Sequence, residues 1–237
     1  MNRAAAAALM AGLLAGCGPP PLRVYFVGNS YTSANDIPAM VASLAAADGR
    51  RLAATTEVPG GFTLQRHWAE GRAAKAIAEG HYDWVVLQDQ SQVPSFEPSQ
   101  VASDMAPAVR AFVAAIRAAG ARPLLYETWA RQHGDPDNRP HDSYAAMQAR
   151  LCETYEAFGR DLGVPVAPVG RAWRVALDRH PGLVLWGPDG SHPTPAGSYL
   201  AACVLYQRLF DHAPTADLGI ERADELQQAA GEALASF

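Results

Sequence analysis

Basic runs, metal-ligand motifs and long apolar segments are scarce in this 237-residue chain, and each scarcity removes a class of function. Charged residues are 18% of the sequence and the formal net charge is −5. With no basic run and no basic–aromatic stripe, nucleic acid is not an expected partner. H-E-x-x-H, C-x-x-C and the P-loop are all missing, so neither a metal nor a nucleotide cofactor is expected. Cysteine occurs only at positions 17, 152 and 203. Cys152 and Cys203 stand in Ala-rich, helix-like segments away from any histidine-rich motif, which gives neither a catalytic role. An oxidising compartment would permit a disulfide between them, and buried free thiols fit equally well. Long Gly/Ser linkers and internal repeats are also missing, so a single domain is expected. Hydrophobic residues, by contrast, make up 49%, enough over this length for a substantial core.

One apolar run does stand out, at the N-terminus: "MNRAAAAALMAGLLAGC". It is too short and too Ala-rich for a membrane span, and it has the early Arg and small-residue end of a signal sequence. Leu14-Ala15-Gly16-Cys17 resembles the bacterial lipobox, whose cysteine becomes lipidated after cleavage. The expectation is a signal peptide over 1–16 and a lipidated Cys17 in a short tether, 17–22. The domain, 23–237, would then be held on a membrane of the cell envelope, on its periplasmic side or at the cell surface. An ordinary secretory signal with an incidental cysteine is the plainer alternative. The "GPPPL" tether reaches at most roughly 18 Å.

Beyond the tether, strand-like and helix-like segments alternate. "RVYFVG", "RLAATTEV", "YDWVVLQ", "ARPLLYETWA" and "VPVAPVG" read as strands. Helical spacing covers "DIPAMVASLAAADG", "TLQRHWAEGRAAKAIAEG" with a weak point at Gly71, and "PSQVASDMAPAVRAFVAAIRAAG" with a break near Pro107. Further helices are expected over roughly 142–162, 170–180, 195–210 and 220–235. Such alternation predicts an α/β fold of three layers, with a mainly parallel central sheet between helices. Ligands of such sheets bind beyond the carboxyl ends of the strands.

That edge is where "VYFVGNSYTS" places Ser30, after an apolar strand cut short by Gly28 and Asn29. A serine needs a base to take its proton and an acid to orient that base. "DGSHPTPAGSYLAA" supplies Asp189 and His192, three residues apart in a Gly/Pro-rich loop. That spacing lets Asp189 reach one imidazole nitrogen and leaves the other for Ser30. Each motif alone also reads as an ordinary turn before a helix.

Together, "FVGNS" and "DGSHPTPAGSYLAA" resemble the first and last sequence blocks of the SGNH/GDSL esterases and acyl hydrolases, across about residues 23–210. The resemblance implies a flavodoxin-like SGNH fold and a Ser30–His192–Asp189 triad forming an acyl-enzyme. It also implies an oxyanion hole built from the Ser30 amide, a block II glycine and a block III asparagine. "EVPGGFTLQ" matches block II, with Gly61 the better fit and Gly60 beside it. No G-x-S-x-G elbow of the α/β-hydrolases is present. Block III departs: "QDQSQ" stands where G-x-N-D is expected. A glutamine amide can donate the same bond from one methylene further away, with Gln88 first in order, then Gln90, then Gln92. Asn29 and Trp129 are expected to touch substrate, Trp129 either as a sugar-stacking platform or as core.

Two further features read as structure. "HGDPDNRPHD" fails the Ca²⁺-loop pattern, because Arg139 occupies a ligand position, and is expected as a surface loop beside the site. His67 reads as a satisfied structural histidine. The sequence thus predicts an envelope serine esterase for small-molecule or carbohydrate esters, plausibly O-acetyl groups. The missing block III asparagine keeps open a non-catalytic lipoprotein of the same fold that binds a glycan or envelope partner.

Overall fold

The alternation of short apolar runs with helical segments places five strands in one sheet. A computed structural model describes residues 19–236; the leader, Cys17 and Phe237 lie outside the described residues. The strands are β1 (Leu22–Val27), β2 (Leu52–Glu57), β3 (Trp84–Leu87), β4 (Arg122–Glu127) and β5 (Val166–Pro168). All pair in parallel in the order β2-β1-β3-β4-β5.

Parallel neighbours need crossovers, and the helices supply them. They are α1 (Ser30–Ser33), α2 (Ile37–Ala47), α3 (Leu64–Glu70), α4 (Arg72–Gly80), α5 (Pro98–Asp104), α6 (Ala106–Ala118) and α7 (Tyr144–Leu162), followed by α8 (Val169–Arg179), α9 (Pro195–Phe210) and α10 (Ala223–Ala235). Gly71, in the left-handed region at φ 73°, separates α3 from α4. The break expected at Pro107 falls at Met105, two residues earlier, because proline fits the first turn of the next helix.

Strand side chains alternate between faces, and this splits the core in two. Val24, Phe26, Trp84, Val86, Leu124 and Tyr126 pack with α2, α8, α9 and α10. Tyr25, Val27, Val85, Leu87 and Leu125 pack on the other face with α4, α6 and α7. Helix α9 is buried along most of its length, so it reads apolar on every side rather than as a stripe. Cys152 and Cys203 are free thiols. Among the described residues no helix is long and apolar enough to cross a membrane.

Candidate active site

Strand β1 delivers Gly28-Asn29-Ser30 to the carboxyl edge of the sheet, between the ends of β2 and β3. Gly28 is required by contact: a Cβ there would lie 2.5 Å from Gln88 Oε1 and 2.8 Å from Thr32 Oγ1. Asn29 caps α1 by accepting from the Tyr31 amide at 3.1 Å, which fixes the turn that presents Ser30. The loop between α8 and α9 brings His192 to the same place. His192 Nε2 lies 2.9 Å from Ser30 Oγ, and His192 Nδ1 lies 2.5 Å from Asp189 Oδ2. A carboxylate only accepts, so Nδ1 carries the hydrogen and Nε2 is left to accept from the serine hydroxyl.

The Asp189 side chain is shaped for that role. Desolvation pushes its carboxyl up, but bonds from the His192 ring and from the Ser191 and His192 amides together outweigh this and hold it at about 2. The His192 and Asp189 side chains are 46% and 51% exposed, so the arrangement opens directly to solvent rather than sitting in a deep cavity. A groove of about 480 Å³ between α5, α6 and α7 contains none of these three residues.

Three bonds between the segment after β4 and the histidine loop hold that loop in place. Trp129 Nε1 donates to Ser191 O at 2.9 Å, Gln132 N to Gly190 O at 2.8 Å, and Trp186 Nε1 to Ala130 O at 3.0 Å. From the other side, Asn35 Nδ2 donates to Pro193 O at 3.1 Å. Tyr31, to which the sequence pattern draws no attention, stands with its ring edge-on to His192 at 5.6 Å and its hydroxyl 2.7 Å from Ser191 Oγ. Only its place immediately after Ser30 could have marked it.

The second-strand turn also reaches this edge. Pro59–Phe62 closes through Phe62 N to Pro59 O at 3.3 Å, with Gly61 at φ 71°, a position that favours glycine. Asn29 Nδ2 donates to Phe62 O at 2.9 Å and ties the turn to the serine loop. The Ser30, Gly60 and Gly61 amides have no acceptor among the described residues. Such unengaged donors are what a developing negative charge would need.

Several expected residues take other parts. Trp129 is fully buried, its ring stacked 4.5 Å from Tyr31 on one side and 4.5 Å from Trp173 on the other. It is core, with no face left for a sugar. Asn29 is 2% exposed and is engaged in bracing the serine loop, so it too is removed from the substrate. Gln88 is fully buried: its Oε1 accepts from Asn29 N at 2.8 Å and Thr32 Oγ1 at 2.9 Å, and its Nε2 donates to Asp89 O. It braces β1 against β3 from a fully buried position. Gln90 is half-buried, with one amide hydrogen bonded to Gln92 Oε1 at 3.1 Å. His67 is buried, its Nε2 2.7 Å from Gly28 O, but it is only half satisfied: its Nδ1, 3.6 Å from Glu57 Oε1, has no hydrogen-bond partner among the described residues. The 133–142 segment lies beside the histidine loop as the expected surface loop, exposed at six of its ten residues, although Asp135 and Asp142 are drawn inward. Asp135 is 2% exposed, and Asp142 is held in a fork by Arg150 at 3.0 and 2.6 Å.

No family model and no curated protein matches the sequence. Solved structures do. A protein from Slackia heliotrinireducens described as an SGNH hydrolase is 31% identical, over 79% of this chain and 98% of its own, with a TM-score of 0.66. A DUF4886 family protein from Bacteroides uniformis is 19% identical over 91% of this chain and 95% of its own, at TM-score 0.67. Axe2, an acetylxylan esterase from Geobacillus stearothermophilus, is 14% identical over 79% of this chain and 94% of its own, at TM-score 0.62. At those identities the latter two share the fold with this chain.

Proposed function

This chain belongs to the SGNH/GDSL hydrolases, and from that membership we propose that it is a serine esterase acting on short O-acyl groups, O-acetyl on carbohydrate being the leading class. The observation that carries this reading is the unbroken relay from Ser30 Oγ through His192 to Asp189, at 2.9 and 2.5 Å. Ser30 Oγ forms a bond to the ester carbonyl carbon as its proton passes to His192 Nε2, while Asp189 steadies the imidazolium. The carbonyl electron pair moves onto oxygen, where the Ser30 and Gly61 amides and the Gln90 amide stabilise it. Collapse expels the alcohol, which takes the proton from His192. Water then repeats the sequence on the acyl-enzyme and releases the acid.

The open triad favours a small acyl group on a large, unenclosed carrier. The acetylxylan esterase among the similar folds supports the same substrate class. The test is covalent labelling by a fluorophosphonate together with hydrolysis of p-nitrophenyl acetate. Wild type should label at Ser30 and hydrolyse the ester. Ser30→Ala should remain folded, fail to label and lose about 10⁴-fold in kcat, with His192→Ala nearly as inactive. A folded wild type that neither labels nor hydrolyses acyl esters would instead be the non-catalytic glycan-binding protein of this fold.

A further inference from the structure

A glutamine amide can present either end to a cleft, a donor or an acceptor, and its partners decide which. Along "QDQSQ" this choice is made jointly by nearby backbone amides and by a residue more than forty positions away. Asp135 is buried after β4, and its carboxylate can only accept. It takes Gln92 Nε2 at 2.8 Å and Asn138 Nδ2 at 3.2 and 3.0 Å. Gln92 must therefore turn its oxygen the other way. That oxygen meets Arg131, whose guanidinium can only donate and does so at 2.8 Å. The same oxygen accepts from Gln90 Nε2 at 3.1 Å. The Gln90 oxygen is in turn held by the Gln92 and Val93 amides at 2.7 and 3.3 Å. Asp135 and Arg131, an acceptor-only group and a donor-only group, fix the Gln92 amide from two sides, while Gln90 is set jointly by the Gln92 oxygen on its Nε2 and by the two backbone amides on its oxygen. The series ends with one Gln90 hydrogen that has no acceptor among the described residues. Gln90 itself is half-buried at the strand edge that carries Ser30.

We propose that Asp135 and Arg131 are positioning residues that act through Gln92 to hold Gln90 as a hydrogen-bond donor, so that a glutamine serves in place of the block III asparagine. This rests on the esterase reading given above. A flipped Gln90 amide would point a carbonyl oxygen at the forming oxyanion, repelling the charge it should stabilise. The relay therefore acts on the transition state rather than on substrate binding.

The experiment is a double-mutant cycle on p-nitrophenyl acetate. Gln92→Met removes the link between Gln90 and Asp135, and Asp135→Asn removes the acceptor-only end while keeping its shape. Each is made alone and with Gln90→Ala. Gln90→Ala should lower kcat by about 10²-fold with KM little changed, as loss of an oxyanion donor does. Gln92→Met and Asp135→Asn should each lower kcat about 5–20-fold alone, yet less than about twofold in the Gln90→Ala background. Equal losses in both backgrounds would mean that they act on general stability, and would overturn the relay while leaving the esterase standing. Wild-type kcat in Gln90→Ala would overturn both the relay and the donor role of Gln90. If Asp135→Asn fails to fold, Gln92→Met alone completes the cycle. Absence of Ser30 labelling in wild type would sink the esterase reading itself, a different result from either.

Discussion

Asp189 and Asp89 are two carboxylates at the same edge of the sheet, and their surroundings drive them in opposite directions. Asp189, half exposed and bonded by His192 and two amides, is held at about 2. Asp89 is fully buried; desolvation lifts it to about 7 against the opposing bonds from the Leu64 and Gln90 amides, and its Oδ2 has no partner. Its folded value lies above the ordinary carboxylate value, so the folded chain keeps a proton that the unfolded chain releases. Stability from this group must fall as pH rises from about 4 to about 7 and then level off, by an amount on the order of 1–4 kcal/mol. Asp89→Asn keeps an oxygen for the two amides and cannot ionise. Thermal melts should show the variant close to wild type near pH 4 and more stable above pH 7. A difference independent of pH would rule out a buried charge as its cause. Glu127, buried at the end of β4, is also lifted to about 7 by desolvation, against bonds from the Cys152 thiol and the Arg171 amide. Some pH dependence should therefore remain in the variant.

At the level of elements, the histidine loop is placed by what lies beneath it. Tyr31, Trp129 and Trp173 form a continuous stack, and Trp186 closes it edge-on at 5.1 Å from Trp173. Trp129 adds a bond to the loop's own backbone, at Ser191 O, one residue before His192. Trp129→Phe retains a ring in the stack but strands that carbonyl and leaves a void. The expected cost is about 2–3 kcal/mol in stability, with kcat several-fold lower and KM nearly unchanged, measured by denaturant unfolding and ester kinetics. A sugar-binding Trp129 would show the reverse, a raised KM for carbohydrate esters with unchanged stability. The strand and helix runs behind this arrangement were legible in the sequence because periodicity two and the 3.6-residue repeat are local properties. Burial of the loop acids was not, since Asp135 meets Gln92 only because the loop after β3 lies against the loop after β4.

For the whole molecule, the direction of β1 matters most. The chain enters the sheet at Leu22 and reaches Ser30 past the opposite edge, after a six-residue strand of about 20 Å. We propose that Cys17, if lipidated as the lipobox resemblance implies, holds the domain with its triad facing away from the bilayer. A tether of at most roughly 18 Å is too short to turn such a domain over. Cys17→Ser should then move the protein from the membrane fraction to the soluble or unprocessed pool. The anchored wild type should hydrolyse soluble acetyl esters but not the phospholipids of the vesicle that carries it. Hydrolysis of those phospholipids, or a wild type that fractionates as soluble protein, would refute this orientation or the anchor respectively.

The amino-acid sequence by itself determined the order of strands and helices, the serine at the tip of β1 and the Asp-x-x-His loop before α9. Each of these depends on residue type and short spacing, the information a local stretch of chain carries. Only the tertiary structure decided that Gln88 is a buried brace while Gln90 keeps a free donor, that Asn29 braces the serine loop, and that Trp129 is core. Those outcomes turn on which donors and acceptors meet across the folded edge. Gln88 faces Asn29 and Thr32 because β1 and β3 are neighbours in the sheet, and Gln92 faces Asp135 because the loop after β4 folds back towards the loop after β3. The Gln92 amide has two chemically opposite ends, and nothing along the chain near it says which one Asp135 or Arg131, some forty residues away, will take.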